Sequence, residues 1–238
     1  MKRIIAALLL VAALSPGAAR AGASCVVPQD VSKLEAPLPT LATRLETRRP
    51  VTIVILGSSA EDATGPVSPE FHRVGLLQAE LARRWPGVEF DVVKKGLHGH
   101  RAADMLDSVA DEVAAMEPAL VIWQAGAAAA ALDTGLERLR EEMVQGLERL
   151  ARTGADVVVM DLQFVPRWDD HPRQHAYLSL IRKVAAEEGA GVFKRYDVMK
   201  TLAGIAPKHA GRGEGRKRCV AQILAEAIAA GVAAAATR

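Results

Sequence analysis

Two serines follow an apolar run of the sequence at a point where nucleophilic chemistry could occur. Ser58 and Ser59 come after the run Val51–Leu56 and Gly57. A serine in the turn that ends a buried strand can present its hydroxyl and its backbone N–H to one pocket, as nucleophilic catalysis requires. The alternative is that both serines are ordinary turn residues. The pattern therefore gives the hypothesis that one of the two serines, Ser58 or Ser59, is a nucleophile.

Further polar segments follow the other apolar runs. Gly96 comes after the second run, and its backbone N–H can approach an oxyanion closely because no side chain intervenes. His98 follows it, Gln163 follows the fourth run, and His209 lies beyond the fifth. His98 and His100 form an H-x-H pair, but two ligands without a third are a weak metal signal. We expect neither a metal nor another cofactor.

The absence of well-known motifs narrows the reaction classes. The sequence contains no G-x-S-x-G, no P-loop ending in G-K-S/T and no H-E-x-x-H. These absences argue against the nucleophile elbow of the α/β-hydrolases, against an NTPase and against a zinc protease of the H-E-x-x-H type.

Short apolar runs alternate with longer amphipathic segments along the chain. The runs Val51–Leu56, 88–93, 119–123, 156–160 and 191–193 have the β-branched character of buried strands. Helical spacing occupies 70–85, 102–116, 136–153, 173–188 and 215–235. This alternation predicts an α/β fold in which a mostly parallel five-stranded sheet lies between two helical layers. The segments after the strands then meet at one edge, where ligands of such sheets bind. Near residue 172, Pro172 favours a helix start with Asp170 or His171 as its N-cap.

Composition and charge limit the partners. The 238 residues are 50% hydrophobic, and 30 Lys and Arg against 28 Asp and Glu give a formal net charge of +2. This balance lacks the dense basic face of a nucleic-acid-binding domain, so we expect no nucleic-acid partner. No sustained heptad is present, and the oligomeric state stays open.

The N-terminus has the pattern of a secretory signal peptide. Lys2 and Arg3 precede an apolar run that is too short to span a membrane, and residues 19–21 form an A-x-A cleavage site. We expect a signal peptide at 1–21, an N-terminal arm at 22–50 and a single domain at 51–238. Removal of Lys2, Arg3 and Arg20 takes the net charge from +2 to −1, and the mature chain is expected to have no membrane span.

The predicted export affects the expected oxidation state of the two cysteines, Cys25 and Cys219. In an oxidising compartment such a pair is more often a disulfide than two free thiols, and both readings stay open here. Acylation of Cys25 as a lipoprotein is disfavoured, because the aliphatic residue expected three positions earlier is missing.

The joint order of three motifs resembles the SGNH hydrolase superfamily, also called GDSL-type esterases and lipases. The motifs are LGSS at 56–59, VIWQ-x-G at 121–126 and MDLQ at 160–163, and they are most similar to an exported proteobacterial branch. The resemblance spans roughly 51–228 and implies the flavodoxin-like SGNH fold. The branch also carries a Cys near the mature N-terminus and another in the last helix, which implies a bridge between Cys25 and Cys219.

The resemblance assigns roles to individual positions. It implies that Ser59 is the nucleophile, that the N–H groups of Ser59 and Gly96 form the oxyanion hole, and that His209 is the general base. Two family residues are replaced: Ala128 stands where an oxyanion-hole Asn is expected, and Ala206 where the Asp partner of His209 is expected. Gln163, Asp62 or Glu214 are hypothetical substitutes for a missing group, and Ser58, His98 and Gln163 are candidate pocket residues.

Taken together, the sequence predicts an exported, periplasmic SGNH-type serine hydrolase with an incomplete catalytic set. The expected substrate is an acyl ester of a carbohydrate, an envelope glycan or a small molecule. The alternative is a catalytically degenerate domain that binds an acylated or glycan ligand without turnover. Replacement of the Asn and Asp positions favours the alternative, whereas retention of Ser59, Gly96 and His209 favours the enzyme.

Overall fold

A parallel sheet forms the centre of the molecule. The computed structural model describes residues 25–57, 73–95, 111–205 and 214–237. Its strands are β1 (Val51–Leu56), β2 (Phe90–Lys95), β3 (Leu120–Gln124), β4 (Asp156–Met160) and β5 (Gly191–Phe193). They lie in the order β2-β1-β3-β4-β5, and all four strand pairs are parallel. The predicted α/β class and five-stranded sheet are confirmed.

The strands are where the apolar runs predicted them, with one notable shift. β2 begins two residues later than expected, because Val88 still belongs to the preceding turn and donates its N–H to the Trp85 carbonyl. β1 and β3 lie inside the sheet, and nearly all their residues are buried. Burial on both faces is the reason that these strands are continuously apolar rather than alternating.

Helices cover both faces of the sheet. They are α1 (Gln29–Ser32), α2 (Pro39–Glu46), α3 (Arg73–Arg84), α4 (Ala127–Leu132), α5 (Leu136–Ala151), α6 (Pro172–Glu187), α7 (Arg195–Ile205) and α8 (Glu214–Ala236). Residues 111–115 are also helical. Helix α8 packs on α2, α3 and α7, whereas α5 and α6 pack on each other and on β4 and β5. The resulting three layers are those of the SGNH fold.

The N-terminal arm is packed into the same core as the sheet. Leu34, Leu38 and Leu41 are buried there. Asp156, the first residue of β4, accepts the N–H groups of Thr40 and Leu41 at 3.2 and 2.8 Å. Since these are N–H groups of the first turn of α2, Asp156 caps a helix that is far from it in sequence.

A disulfide joins the arm to the last helix. Cys25 and Cys219 are bonded, with 5.1 Å between their Cα atoms. The predicted pairing is therefore confirmed, and Cys25 is not available for acylation. Nearby, Gly231 allows the arm to approach α8, because a Cβ at this position would lie 2.9 Å from Leu38 Cγ.

Helix α8 is unusually apolar. Its segment Gly215–Ala236 is long enough and apolar enough to cross a membrane by length and composition, with a mean hydropathy of 1.8 over the most apolar window. Ile223, Leu224 and Ile228 on this helix are buried in the core cluster. In this structure the apolar character of α8 therefore serves packing against α2 and α3.

Candidate active site

The carboxyl ends of the central strands meet at one edge of the sheet. Leu56 at the end of β1 pairs with Lys95 on β2 and with Trp123 on β3. Gly57 continues this pairing by donating its N–H to the Lys95 carbonyl at 3.2 Å. The Lys95 ammonium is 2.9 Å from Glu112, so its charge is balanced. The segments that leave β1 and β2 toward the predicted catalytic residues therefore start side by side.

Gly57 is required at the end of β1 by its neighbour Gln124. A Cβ built on Gly57 would lie 2.8 Å from both Cβ and Oε1 of Gln124. Real Cβ atoms are not found so close to another heavy atom, so any larger residue would displace the glutamine or the strand end. The glycine of LGSS is thus needed because the glutamine of VIWQ packs against it, a relation that neither motif predicted alone.

Most of the predicted catalytic residues lie outside the described part of the chain. Ser58, Ser59, Gly96, His98 and His209 fall between the described ranges, as do Asp62, His100 and Ala206. The roles assigned to these residues therefore remain predictions. The structure does place Gln163, Ala128 and both cysteines.

The turn between β3 and α4 depends on a second glycine. Gly126 has φ of +80°, a left-handed conformation, and precedes α4 directly. A Cβ there would lie 2.4 Å from Ile181 Cδ1 and 3.0 Å from its Cγ1, on α6. Ala128 follows in the first turn of α4 and is half-buried. Its methyl group cannot donate a hydrogen bond, so it cannot replace the amide of the Asn expected there.

Asp161 anchors the segment that follows β4. Its side chain is fully buried. It accepts the Tyr196 N–H at 2.9 Å and Arg182 Nε at 2.7 Å. Burial raises the pKa of Asp161 to about 6, although the nearby Arg182 opposes the rise. At neutral pH it is therefore mostly ionised and paired with Arg182, a structural role that the motif MDLQ did not disclose.

A second carboxylate holds the far end of the same segment. Asp169 accepts hydrogen bonds from the Tyr196 hydroxyl at 2.6 Å and from Lys200 at 2.9 Å. These two donors lower the pKa of Asp169. Burial, followed by the neighbouring Asp169, raises the pKa of Tyr196. Asp161 and Asp169 together attach the β4–α6 segment to α7 at two points.

Between α4 and this segment lies a cavity of about 380 Å³. It is next to the ends of β3 and β4, at the same edge of the sheet as Gly57. Its wall combines small apolar side chains with polar and aromatic ones: Ala127, Ala130, Ala131, Leu162, Gln163, Val165, Trp168, His171, Arg173 and Gln174. Gln163, predicted as a pocket residue, is one of them.

The structure adds cavity residues that the sequence did not single out. Trp168 lies in the 3-10 turn Pro166–Trp168, and Arg173 and Gln174 lie in the first turn of α6; no motif pointed to any of the three as a cavity residue. His171 is the N-cap of α6 and was one of the two N-cap residues predicted from the sequence. Its Nδ1 accepts the Arg173 N–H at 3.2 Å. Nε2 of His171 therefore carries the ring proton in the neutral form.

Metal ligation has no support in the described ranges. Within residues 25–57, 73–95, 111–205 and 214–237, no group of three or more His, Cys, Asp or Glu side chains could hold a metal ion.

Comparison with known proteins identifies the class. The doubly covered parallel sheet with its candidate nucleophile segment after β1 is that of the SGNH hydrolase superfamily. Within it, the chain belongs to the non-GDSL lipase-like family, whose model matches residues 24–234. No curated protein matches the sequence.

Solved structures agree on the fold. TesA shares 21% identity, covering 72% of this chain and 95% of its own, with a TM-score of 0.58. The acetyl xylan esterase AlAXEase shares 16% identity over 75% of this chain and 100% of its own, with a TM-score of 0.61. A GDSL-like lipase from Parabacteroides merdae shares 11% identity, covering 83% of this chain and 99% of its own, with a TM-score of 0.62. At these identities the likeness shows the fold alone.

Proposed function

We propose that the protein is an exported serine hydrolase that cleaves an acyl ester, with Ser59 as the nucleophile. The observation that carries this proposal is the register of β1 and β2, in which Leu56 pairs with Lys95. Ser59 follows Leu56 by three residues, and Gly96 follows Lys95 directly. The segments that lead to the proposed nucleophile and to the proposed second oxyanion donor therefore begin at paired positions on neighbouring strands, which supports the assignment. Membership of a lipase-like family supports the same chemistry.

In the proposed reaction, Ser59 Oγ attacks the ester carbonyl while His209 takes the hydroxyl proton. The N–H groups of Ser59 and Gly96 stabilise the oxyanion. Collapse of the tetrahedral intermediate breaks the C–O bond, His209 gives its proton to the departing alcohol, and an acyl-Ser59 ester remains. Water, deprotonated by His209, then releases the carboxylic acid and restores the serine.

The proposed location is the periplasm. The Cys25–Cys219 disulfide supports an oxidising compartment, because such bonds are rare in the cytosol. The substrate proposed for such a location is an acylated carbohydrate, an envelope glycan or a small acyl ester.

The proposed enzyme is a weakened one. Loss of one oxyanion donor, here replaced by Ala128, costs about 10²–10³ in kcat. Loss of the carboxylate behind a catalytic histidine, here replaced by Ala206, costs up to about 10⁴. These losses do not add simply, because such groups act as a unit. Ala128 also favours a second candidate function, binding of an acylated or glycan ligand without turnover, since its methyl group offers nothing to an oxyanion.

The test is covalent labelling of Ser59 combined with kinetics. The disulfide-bonded protein and its Ser59→Ala, His209→Ala and Ser179→Ala variants are assayed with p-nitrophenyl acetate and butyrate. Each is also treated with a fluorophosphonate, and the modified residue is located by mass spectrometry. Ser179→Ala is the matched control, because Ser179 is an exposed serine on α6.

We expect slow turnover and labelling of Ser59 in the unchanged protein and in Ser179→Ala. Turnover should disappear in the Ser59 and His209 variants. If hydrolysis by the unchanged protein equals that of Ser59→Ala and no serine is labelled, the hydrolase proposal is wrong and the binding function takes its place. Gln163→Ala, assayed in parallel, should lower kcat/KM if Gln163 has replaced a missing catalytic group.

A further inference from the structure

The cavity between α4 and the β4–α6 segment has a mixed lining that indicates the chemistry of its ligand. Its volume of about 380 Å³ is at the small end of the range for small-molecule sites, roughly 300–1,000 Å³. We infer that it is a subsite for a neutral sugar unit, with Trp168 as the stacking surface and Gln163 and Gln174 as hydrogen-bonding groups. This inference rests on the proposed function only in assigning the sugar to the ester substrate.

Trp168 supplies an apolar flat surface beside polar groups. Trp168 is 40% exposed and lines the cavity, so part of its surface is open to a ligand. The guanidinium of Arg167 lies 4.8 Å from its ring centroid, which restrains the ring. A pyranose presents a row of C–H groups on one face, and these groups pack favourably on the electron-rich face of an aromatic ring. An exposed, restrained tryptophan at the cavity wall is suited to this contact.

The polar side chains of the lining both donate and accept hydrogen bonds. The amides of Gln163 and Gln174 each offer two donors and an acceptor. His171 adds a donor at Nε2, because its Nδ1 already accepts the Arg173 N–H. Sugar hydroxyls also donate and accept at the same atom, so they can satisfy all three side chains. A fatty acyl chain would leave these groups without partners, at a cost in binding.

Charge in the lining favours a neutral ligand. Among the described residues that line the cavity, none is a carboxylate, so a cationic ligand gains no counter-ion there. Arg173 is the one arginine among the described lining residues, and it forms an ion pair with Asp133 at 3.1 Å. An anionic ligand would have to compete with Asp133 for it.

The cavity walls are held in place before any ligand arrives. Gly126 sets the direction of α4 through its left-handed turn. Asp161 and Asp169 fasten the opposite wall to α7 through the Tyr196 N–H and hydroxyl. Restrained walls reduce the entropy lost on binding, which helps a weakly interacting ligand such as a sugar.

Binding is tested separately from hydrolysis. Xylotriose, cellotriose and triacetylchitotriose, which contain no ester, are titrated by calorimetry and tryptophan fluorescence into the disulfide-bonded Ser59→Ala protein. Sodium octanoate is the apolar comparison. The same titrations use Trp168→Ala, Trp168→Phe and Gln163→Ala, each in the Ser59→Ala background. Leu132→Ala is the matched control, since Leu132 is exposed on α4 and does not line the cavity.

We expect at least one saccharide to bind, with a Kd that rises about tenfold or more in Trp168→Ala. Trp168→Phe should recover part of the affinity, Gln163→Ala should lose several-fold, and Leu132→Ala should be unchanged. Binding of octanoate but of no saccharide would overturn the inference, as would saccharide binding that Trp168→Ala leaves intact. Hydrolysis without saccharide binding would refute only the sugar subsite, whereas binding without hydrolysis would refute only the enzyme.

Discussion

Replacing Gly126 by alanine introduces a methyl group into space that Ile181 already fills. The left-handed backbone at φ of +80° costs an L-residue about 1–2 kcal/mol. The new Cβ would lie 2.4 Å from Ile181 Cδ1, and relief of such overpacking costs about 1–3 kcal/mol more. We therefore expect Gly126→Ala to lower the free energy of unfolding by about 2–5 kcal/mol, or the Tm by about 4–20 °C.

Gly189 separates the two contributions to this loss. It also has a positive φ, of +73°, but a Cβ there would meet nothing within 4 Å. Gly189→Ala should therefore show only the backbone cost, about 1–2 kcal/mol. The assay is urea unfolding of the disulfide-bonded protein, followed by circular dichroism. Equal losses in the two variants would refute the contact with Ile181.

A double substitution tests the same contact from the other side. Ile181→Val removes Cδ1, the atom nearest the new methyl group, and alone it should cost about 0.5–1.5 kcal/mol. In the Gly126→Ala protein the same change should cost less or even stabilise, with a coupling energy of about 0.5–3 kcal/mol. Strict additivity would show that the strain is in the backbone and not between α4 and α6.

The remaining predictions concern the disulfide and the buried aspartate. Reduction of the Cys25–Cys219 bond, which closes a loop of sequence separation 194, should lower the free energy of unfolding. The loss expected from chain entropy is about 5 kcal/mol. The loss is measured by urea unfolding with and without reductant. A Cys25→Ala/Cys219→Ala variant is the control, and its stability should not change with reductant. Equal stability of the oxidised and reduced protein would contradict the prediction. In the folded protein the pKa of Asp161 is raised to about 6, above its value in the unfolded chain. The folded state is therefore favoured by protonation of Asp161, and this stabilisation is complete below the unfolded pKa and is lost as pH rises through 6. Unfolding from pH 4 to 7 should show this decline in the unchanged protein and not in Asp161→Asn; parallel pH profiles would refute it.

The strands were the most predictable part of the fold. Val51–Leu56, Asp156–Met160 and Gly191–Phe193 were predicted with the bounds they have, because buried parallel strands leave long apolar, β-branched runs. Among the described helices, α1, α2, α4 and α7 were not predicted. The prolines around α2 and the few residues of that helix obscure its helical period, and the uniform alanines of α4 favour a helix but give no apolar face from which to predict it.

The candidate site could be predicted only in part from the sequence. Motif order brought out Gly57, Gln124 and Asp161 but not their contacts, because packing against Gln124 and burial beside Arg182 depend on elements distant in the chain. Trp168 and Arg173 were not predicted as cavity residues, because their role depends on the opposite wall, α4, which is distant in sequence. The disulfide was predictable because the chain has two cysteines, so each has one possible partner.

The link between Cys25 and Cys219 makes most of the chain a covalent ring. A protease that cuts one peptide bond between these residues leaves both fragments attached through sulfur. On an electrophoresis gel without thiol, the nicked protein would still migrate as a single species, and its pieces would separate only after reduction. For a protein proposed to work among envelope proteases, this ring keeps a damaged chain together and gives its halves a chance to stay folded.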